Sequence, residues 1–223
     1  MFARQASGYH PFFRPACKAG MRVLSRRYTN YGAENVPEGP FIIVINHMSY
    51  FDPMALGASD VTANPVPLAA KKYKGKWVGN MMEFMIPPIF IEQNSPDRQA
   101  LKMTLERLAE GVPVLIAPEG TRSRTGTLKE AFEGTAYLLR KADVPIVPIA
   151  VMGTEKTLRS FRAAITVRVG KPFRLPQVEK MSKEQLKEDT DRLMCSIAAL
   201  LPESYHGFYA GHPLIEEMRA VVA

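Results

Sequence analysis

Six short apolar runs, separated by helical and turn patterns, constrain the fold of this chain more than any other feature. They are Phe41–Ile45, Val66–Ala69, Ile89–Ile91, Val112–Ala117, Val144–Val151 and Ile165–Val169. Short aliphatic, β-branched-rich runs bounded by turn residues read as buried strands. Between them lie helix signals. Asp52 before Pro53 predicts a helix start, with Asp as N-cap and Pro in the first turn. Ser95-Pro96-Asp97 opens a helix to about Glu110, which Gly111 stops. Lys129–Lys141 reads as helical, and Ser182-x-x-Gln185 is a capping box opening a helix to about Leu201. Pro145 and Pro148 inside one apolar run predict an edge or bulged strand. Strands alternating with helices argue a single α/β domain with a largely parallel sheet flanked by helices.

Within 223 residues there is room for one substantial core and not for two ordinary domains. Cys17 and Cys195 are far apart and outside any metal-binding spacing, so they read as reduced thiols, a single bridge being the alternative. No apolar stretch approaches the ~20 residues that cross a bilayer. The net charge of +7 points to anionic partners. Residues 1–33 carry Arg4, Arg14, Lys18, Arg22, Arg26 and Arg27 and no acidic residue. On a helix, Arg14, Lys18, Arg22 and Arg26 form a basic stripe beside an apolar face of Cys17, Met21, Leu24 and Tyr28. This predicts an N-terminal amphipathic helical segment that lies on an anionic membrane surface; a helix packed on the core and a transit peptide are the alternatives. The expected division is residues 1–33 as this segment and 34–223 as the α/β domain.

Two constellations carry chemistry. The first, Asn46-His47-Met48-Ser49-Tyr50-Phe51-Asp52-Pro53, directly follows a strand, which places His47 at the carboxyl edge where α/β sheets keep their sites. Histidine is the side chain suited to a base near neutral pH, and a carboxylate on its second nitrogen fixes the tautomer. On one continuous helix these two side chains would diverge by roughly 140°. A strand end, turn and helix start can instead bring them together. Taken singly, His47 could be structural, Asp52 a plain cap and Ser49 a turn residue. The second constellation, Ala117-Pro118-Glu119-Gly120-Thr121-Arg122-Ser123, also follows a strand. Gly120 permits close backbone approach, Thr121 offers a hydroxyl, and Arg122 offers a fork for a phosphate; a polar turn is the bland alternative. There is no G-x-S-x-G, no phosphate loop, no GxGxxG and no zinc spacing among His10, His206 and His212. No metal and no cofactor are expected.

The ordered motifs Asn-His-x4-Asp, Pro-Glu-Gly-Thr-Arg-Ser and Val144-Pro145-Ile146-Val147-Pro148-Ile149 resemble those of the glycerol-phosphate and lysophosphatidate acyltransferases, over about Gly32 to Gly170. The resemblance implies a mixed-sheet α/β domain and direct acyl transfer, from acyl-CoA or acyl carrier protein to the hydroxyl of a lyso-phospholipid, most simply 1-acylglycerol-3-phosphate. His47 would be the base and Asp52 its orienting partner; Glu119, Gly120, Thr121 and Arg122 would hold the acceptor. It also implies a peripheral protein on the cytoplasmic face of a membrane, with no nucleic-acid partner. One departure stands out: the family's strand Gly-x-Ile-Phe-Ile is followed by an arginine, whereas Pro88-Ile89-Phe90-Ile91 is followed by Glu92-Gln93. Arg98 and Lys71, with Lys72, are the substitutes nearest in sequence. Two rival readings stand beside this one: the Gln93 departure suggests an acyltransferase for a phosphate-free lyso-lipid or glycolipid, and the basic amphipathic N-terminus suggests a non-catalytic lipid-binding protein. Met81, Met82, Phe84 and Met85 are expected to pack in the core.

Overall fold

A computed structural model describes residues 9–61, 63–93, 97–157, 162–178 and 181–223. Its strands are β1 (Ser25–Tyr31), β2 (Ile42–Ile45), β3 (Val66–Ala70), β4 (Ile89–Ile91), β5 (Val114–Ile116), β6 (Ile146–Met152) and β7 (Ala163–Val169). The helices are α1 (Phe13–Leu24), α2 (Asp52–Ala58), α3 (Trp77–Met85), α4 (Arg98–Ala109), α5 (Glu133–Ala142), α6 (Lys183–Ala198) and α7 (Leu214–Val222). The strands form one sheet in the order β1-β7-β6-β2-β5-β3-β4. From β6 to β4 all neighbours are parallel; β7 runs antiparallel to β6, and β1 parallel to β7. The sheet is therefore mixed and largely parallel, as the strand–helix alternation and the family resemblance predict.

Period-two alternation builds the layers. Ile42 and Val44 point to a core shared with α5, α6 and α7, where Leu139, Leu193, Ile197 and Met218 are buried. Ile43 and Ile45 point to the opposite core, shared with α1 and α2 through Cys17, Met21, Ala55 and Leu56. Each such aliphatic side chain contributes about 1.5–3 kcal/mol on burial. A smaller cluster of Val66, Ile89, Ala100 and Val112 seats α4 against β3 and β4. Cys17 and Cys195 are free thiols, one in each large core, and no bridge joins them.

Local signals set several element ends. The Asp97 carboxylate accepts the Ala100 N–H at 2.9 Å and caps α4, while Ser95 and Pro96, the rest of the expected start, lie outside the described residues. Ser182 caps α6 by accepting the Gln185 N–H at 3.1 Å. Three expectations need correction. The apolar run with two prolines forms β6, in the interior of the sheet, with Pro145 just before the strand and Pro148 within it. Pro148 is tolerated there because its carbonyl, and hence its missing donor, faces the side where β7 has already ended: the Gly170 N–H meets that carbonyl at 2.9 Å. The helix expected from Lys129 begins only at Glu133, because the Lys129 N–H is held by Glu119 at 3.0 Å. The N-terminal basic helix stops at Leu24, and the chain continues as β1, pairing in register with β7 from Arg27 to Tyr31. Arg26 and Tyr28 thus sit on a strand, and the Cys17–Met21 face of α1 is buried against α2 and the sheet.

Candidate active site

The parallel strands end along one edge, and three of the loops leaving that edge converge on His47. Asn46, fully buried, ends β2 by zipping onto β6: its Nδ2 donates to the Val151 carbonyl at 2.7 Å, and its Oδ1 accepts the Val151 N–H at 2.8 Å. That pair of bonds fixes where the next residue emerges. His47 Nδ1 lies 2.8 Å from Asp52 Oδ2. The turn Met48–Phe51 brings Asp52 back beneath the ring, as the strand–turn–helix reading requires.

Asp52 stands at the first position of α2 and does not cap it. Its Oδ2 accepts the Met48 and Ser49 N–H groups, each at 2.8 Å, and its Oδ1 accepts the Thr154 hydroxyl at 2.5 Å. It is almost wholly buried, at 2% exposure, so these donors supply the solvation that water cannot. The His47 side chain remains 29% exposed, leaving part of the imidazole open to a ligand.

The loop after β5 is locked to the same point. Glu119 is fully buried; its Oε1 accepts the His47 N–H at 2.9 Å and its Oε2 the Lys129 N–H at 3.0 Å. Burial pushes its carboxyl up to about 7, against the lowering pull of those two amides. The Ser123 N–H returns to the His47 carbonyl at 2.7 Å. Gly120 adopts φ +65°, and a Cβ there would fall 2.7 Å from the Phe132 ring, so both conformation and space require glycine. Thr121 Oγ1 accepts from Lys129 Nζ at 2.7 Å. The Arg122 guanidinium lies over the Tyr50 ring, 3.3 Å from its centroid, which ties the second motif to the loop of the first.

The positions offered in place of the missing arginine fall elsewhere. Gln93 reaches the second motif, its Nε2 donating to the Gly120 carbonyl. Lys71 follows β3, is exposed, and pairs with Glu92 at 3.5 Å. Arg98 is exposed at the start of α4 and shares a shallow groove with Leu101, Lys102 and Leu105 on that helix. Among the described residues, neither of these two cations bonds to the His47 cluster. Two residues escaped the sequence reading. Thr154 follows Gly153, whose φ of +89° and close approach to the Ala164 carbonyl turn the chain out of β6. The signal was a Gly-Thr pair after a third strand leaving the same edge. Lys129 carried no signal beyond its charge.

A family model described as Acyltransferase matches residues 27–152. The chain is 33% identical over 134 residues to the chloroplastic 1-acyl-sn-glycerol-3-phosphate acyltransferase of Brassica napus, covering 57% of this chain and only 38% of that protein. It is 27% identical over 169 residues to the 1-acyl-sn-glycerol-3-phosphate acyltransferase of Bacillus subtilis, covering 73% and 82%. The crystal structure of the 1-acyl-sn-glycerophosphate acyltransferase PlsC from Thermotoga maritima superposes with a TM-score of 0.62 over 81% of this chain and 74% of that one. At 22% identity that likeness speaks for the fold.

Proposed function

The chain belongs to the acyltransferase family, and on that premise we propose that it moves a fatty acyl group from a thioester, acyl-CoA or acyl carrier protein, to the free hydroxyl of 1-acylglycerol-3-phosphate. The observation that carries this reading is the contact of 2.8 Å between His47 Nδ1 and a buried Asp52 whose oxygens already hold three other donors. A carboxylate so fixed makes Nδ1 the protonated nitrogen and leaves the lone pair on Nε2.

The reaction then follows in two steps. Nε2 takes the proton of the acceptor hydroxyl as its oxygen forms a bond to the thioester carbon. The tetrahedral intermediate collapses, the carbon–sulfur bond breaks, and the proton on Nε2 passes to the leaving sulfur. Asp52 stabilises the imidazolium between the steps. Glu119 acts by position: its bond to the His47 N–H holds the two motif loops together, and its bond to the Lys129 N–H anchors the chain that follows the second. Gly120 and Thr121 shape the acceptor pocket. Arg122, with the ammonium of Lys129 beside Thr121, supplies the cationic fork for the acceptor phosphate.

Gln93 favours a second reading. Where the family places an arginine this chain has a neutral amide, itself bonded to Gly120. A phosphate-free lyso-lipid acceptor would suit that substitution.

The deciding experiment follows thiol release from palmitoyl-CoA, and from the corresponding carrier-protein thioester, with lysophosphatidate, a neutral lyso-lipid or no acceptor. Release that depends on lysophosphatidate and falls about 10²–10⁴-fold in His47→Ala is the expected result. Release only with the neutral lyso-lipid transfers the assignment to the second reading, and undiminished release by His47→Ala overturns the mechanism.

A further inference from the structure

We propose that an apolar strip on α3, continued by Phe12 before α1, is the surface by which this protein docks on an anionic lipid bilayer. The proposal rests on the reading of a lipid acceptor and says where the protein meets it. Trp77, Met81 and Phe84 repeat at steps of four and three, so they share one face of α3, and they are 75%, 50% and 63% exposed. The expectation that Met81 and Phe84 pack in the core is thereby overturned. The opposite side of the helix rests on the turn Lys71–Tyr73, where a Cβ on Gly79 would meet the Tyr73 carbonyl at 2.0 Å. The strip does not end with the helix. The His10 ring lies 4.6 Å from that of Phe84 and 5.4 Å from that of Phe12, and Phe12 is itself 71% exposed.

The rim of this strip names its partner. Lys71, Lys72, Lys74 and Lys76 are consecutive exposed cations leading into α3, and among the described residues only Lys71 has a carboxylate partner. Tryptophan, phenylalanine and methionine flanked by lysines match an interface in which rings sit at headgroup depth and ammonium groups meet anionic lipid. A second copy of the chain is the poorer occupant, because a symmetric contact would set this lysine rim against itself. The segment also leaves the sheet directly after β3, at the carboxyl edge that carries His47. The basic helix α1 is a weaker candidate for insertion. Its apolar side is already occupied: a Cβ on Gly57 of α2 would lie 2.7 Å from Cys17 Sγ and 2.8 Å from the Phe13 ring.

Trp77 is the sole tryptophan of the chain, so the intact protein reports on its own surface. With vesicles of phosphatidylcholine containing phosphatidylglycerol, its emission shifts to the blue and is quenched by brominated acyl chains; phosphatidylcholine alone gives a much smaller response. In co-sedimentation, Trp77→Ser/Phe84→Ser and Lys72→Glu/Lys74→Glu/Lys76→Glu each lower partition about tenfold or more, while Lys18→Glu/Arg22→Glu on α1 stays within about threefold. Transfer to a short-chain, water-soluble acceptor is unchanged in the Trp77→Ser/Phe84→Ser variant. Vesicle binding that leaves Trp77 in water, no vesicle binding at all, or a dimer lost only in the strip variants would each overturn the proposal. If Trp77 enters lipid but no acceptor is ever acylated, the docking surface stands and the enzymatic reading fails.

Discussion

The hydroxyl of Thr154 lies 2.5 Å from Asp52 Oδ1, joining the loop after β6 to the carboxylate beneath His47. Both residues are almost fully buried, at 1% and 2% exposure, so no water replaces this donor if it is lost. Thr154→Val keeps the shape and removes the bond. The expected outcome is a loss of about 2 kcal/mol in stability and about tenfold in kcat with KM little changed, since a bond to an ionised group is worth about that much. Thr154→Ser restores kcat. If the valine variant loses stability but keeps kcat, Thr154 holds the fold and does not position Asp52.

Glu119 gives the site a pH dependence of its own. Its carboxyl is raised from 4.5 to about 7 by burial. Between those values the folded state keeps a proton that the unfolded chain releases. The residue's favourable contribution is therefore complete below 4.5 and is lost as pH rises through about 7. That interval corresponds to about 3 kcal/mol. Urea unfolding at pH 5 and pH 8 should show wild type losing about 2–3 kcal/mol more than Glu119→Gln across that range. The glutamine variant starts lower, because one of the N–H donors of His47 and Lys129 then faces an amide NH2. Parallel pH curves for the two proteins would remove Glu119 as the source.

What could be read from the sequence was what local physics determines. The run Ile42–Ile45 is buried on both faces, and only a central strand uses four aliphatic residues in that way. Ser182 and Asp97 announce helix starts because a cap bonds within three residues of itself. The His47–Asp52 pair was accessible because one turn closes it. β1 was not, since an edge strand reading Ser-Arg-Arg-Tyr-Thr-Asn-Tyr has no apolar run, and its partner β7 begins at Ala163. Met81 and Phe84 are exposed against expectation because residue type sets what burial is worth, not whether a neighbour exists to provide it. Thr154 reaches Asp52 across 102 positions, a distance over which spacing carries no signal.

Arg122 tests the acceptor. Its guanidinium stacks on Tyr50, an arrangement that a lysine ammonium cannot reproduce with the same planar fork. For a phosphate-bearing acceptor, Arg122→Lys should raise KM about tenfold or more while kcat falls less, because the lost bonds hold ground and transition states alike. For a neutral lyso-lipid the same substitution should change KM little. Equal effects on both acceptors would mean that Arg122 shapes the loop through Tyr50 and does not read the phosphate.

Asn46 precedes the reacting histidine, yet both ends of its amide are engaged by the Val151 main chain and it is fully buried. Its role is therefore to stitch the last residue of β2 to β6, so that His47 emerges at a fixed angle. Asn46→Ala leaves a buried N–H and a buried carbonyl without partners, a cost of about 2–4 kcal/mol. Asn46→Asp keeps one bond but sets an oxygen against the Val151 carbonyl, and it should fare no better. The melting temperature should fall by about 5–15 °C in both, and amide exchange at Val151 should quicken in Asn46→Ala. Activity measured well below the new midpoint should fall as well, because a loosened strand end lets the imidazole wander from Asp52. A variant that melts with wild type but loses turnover would place Asn46 against substrate instead.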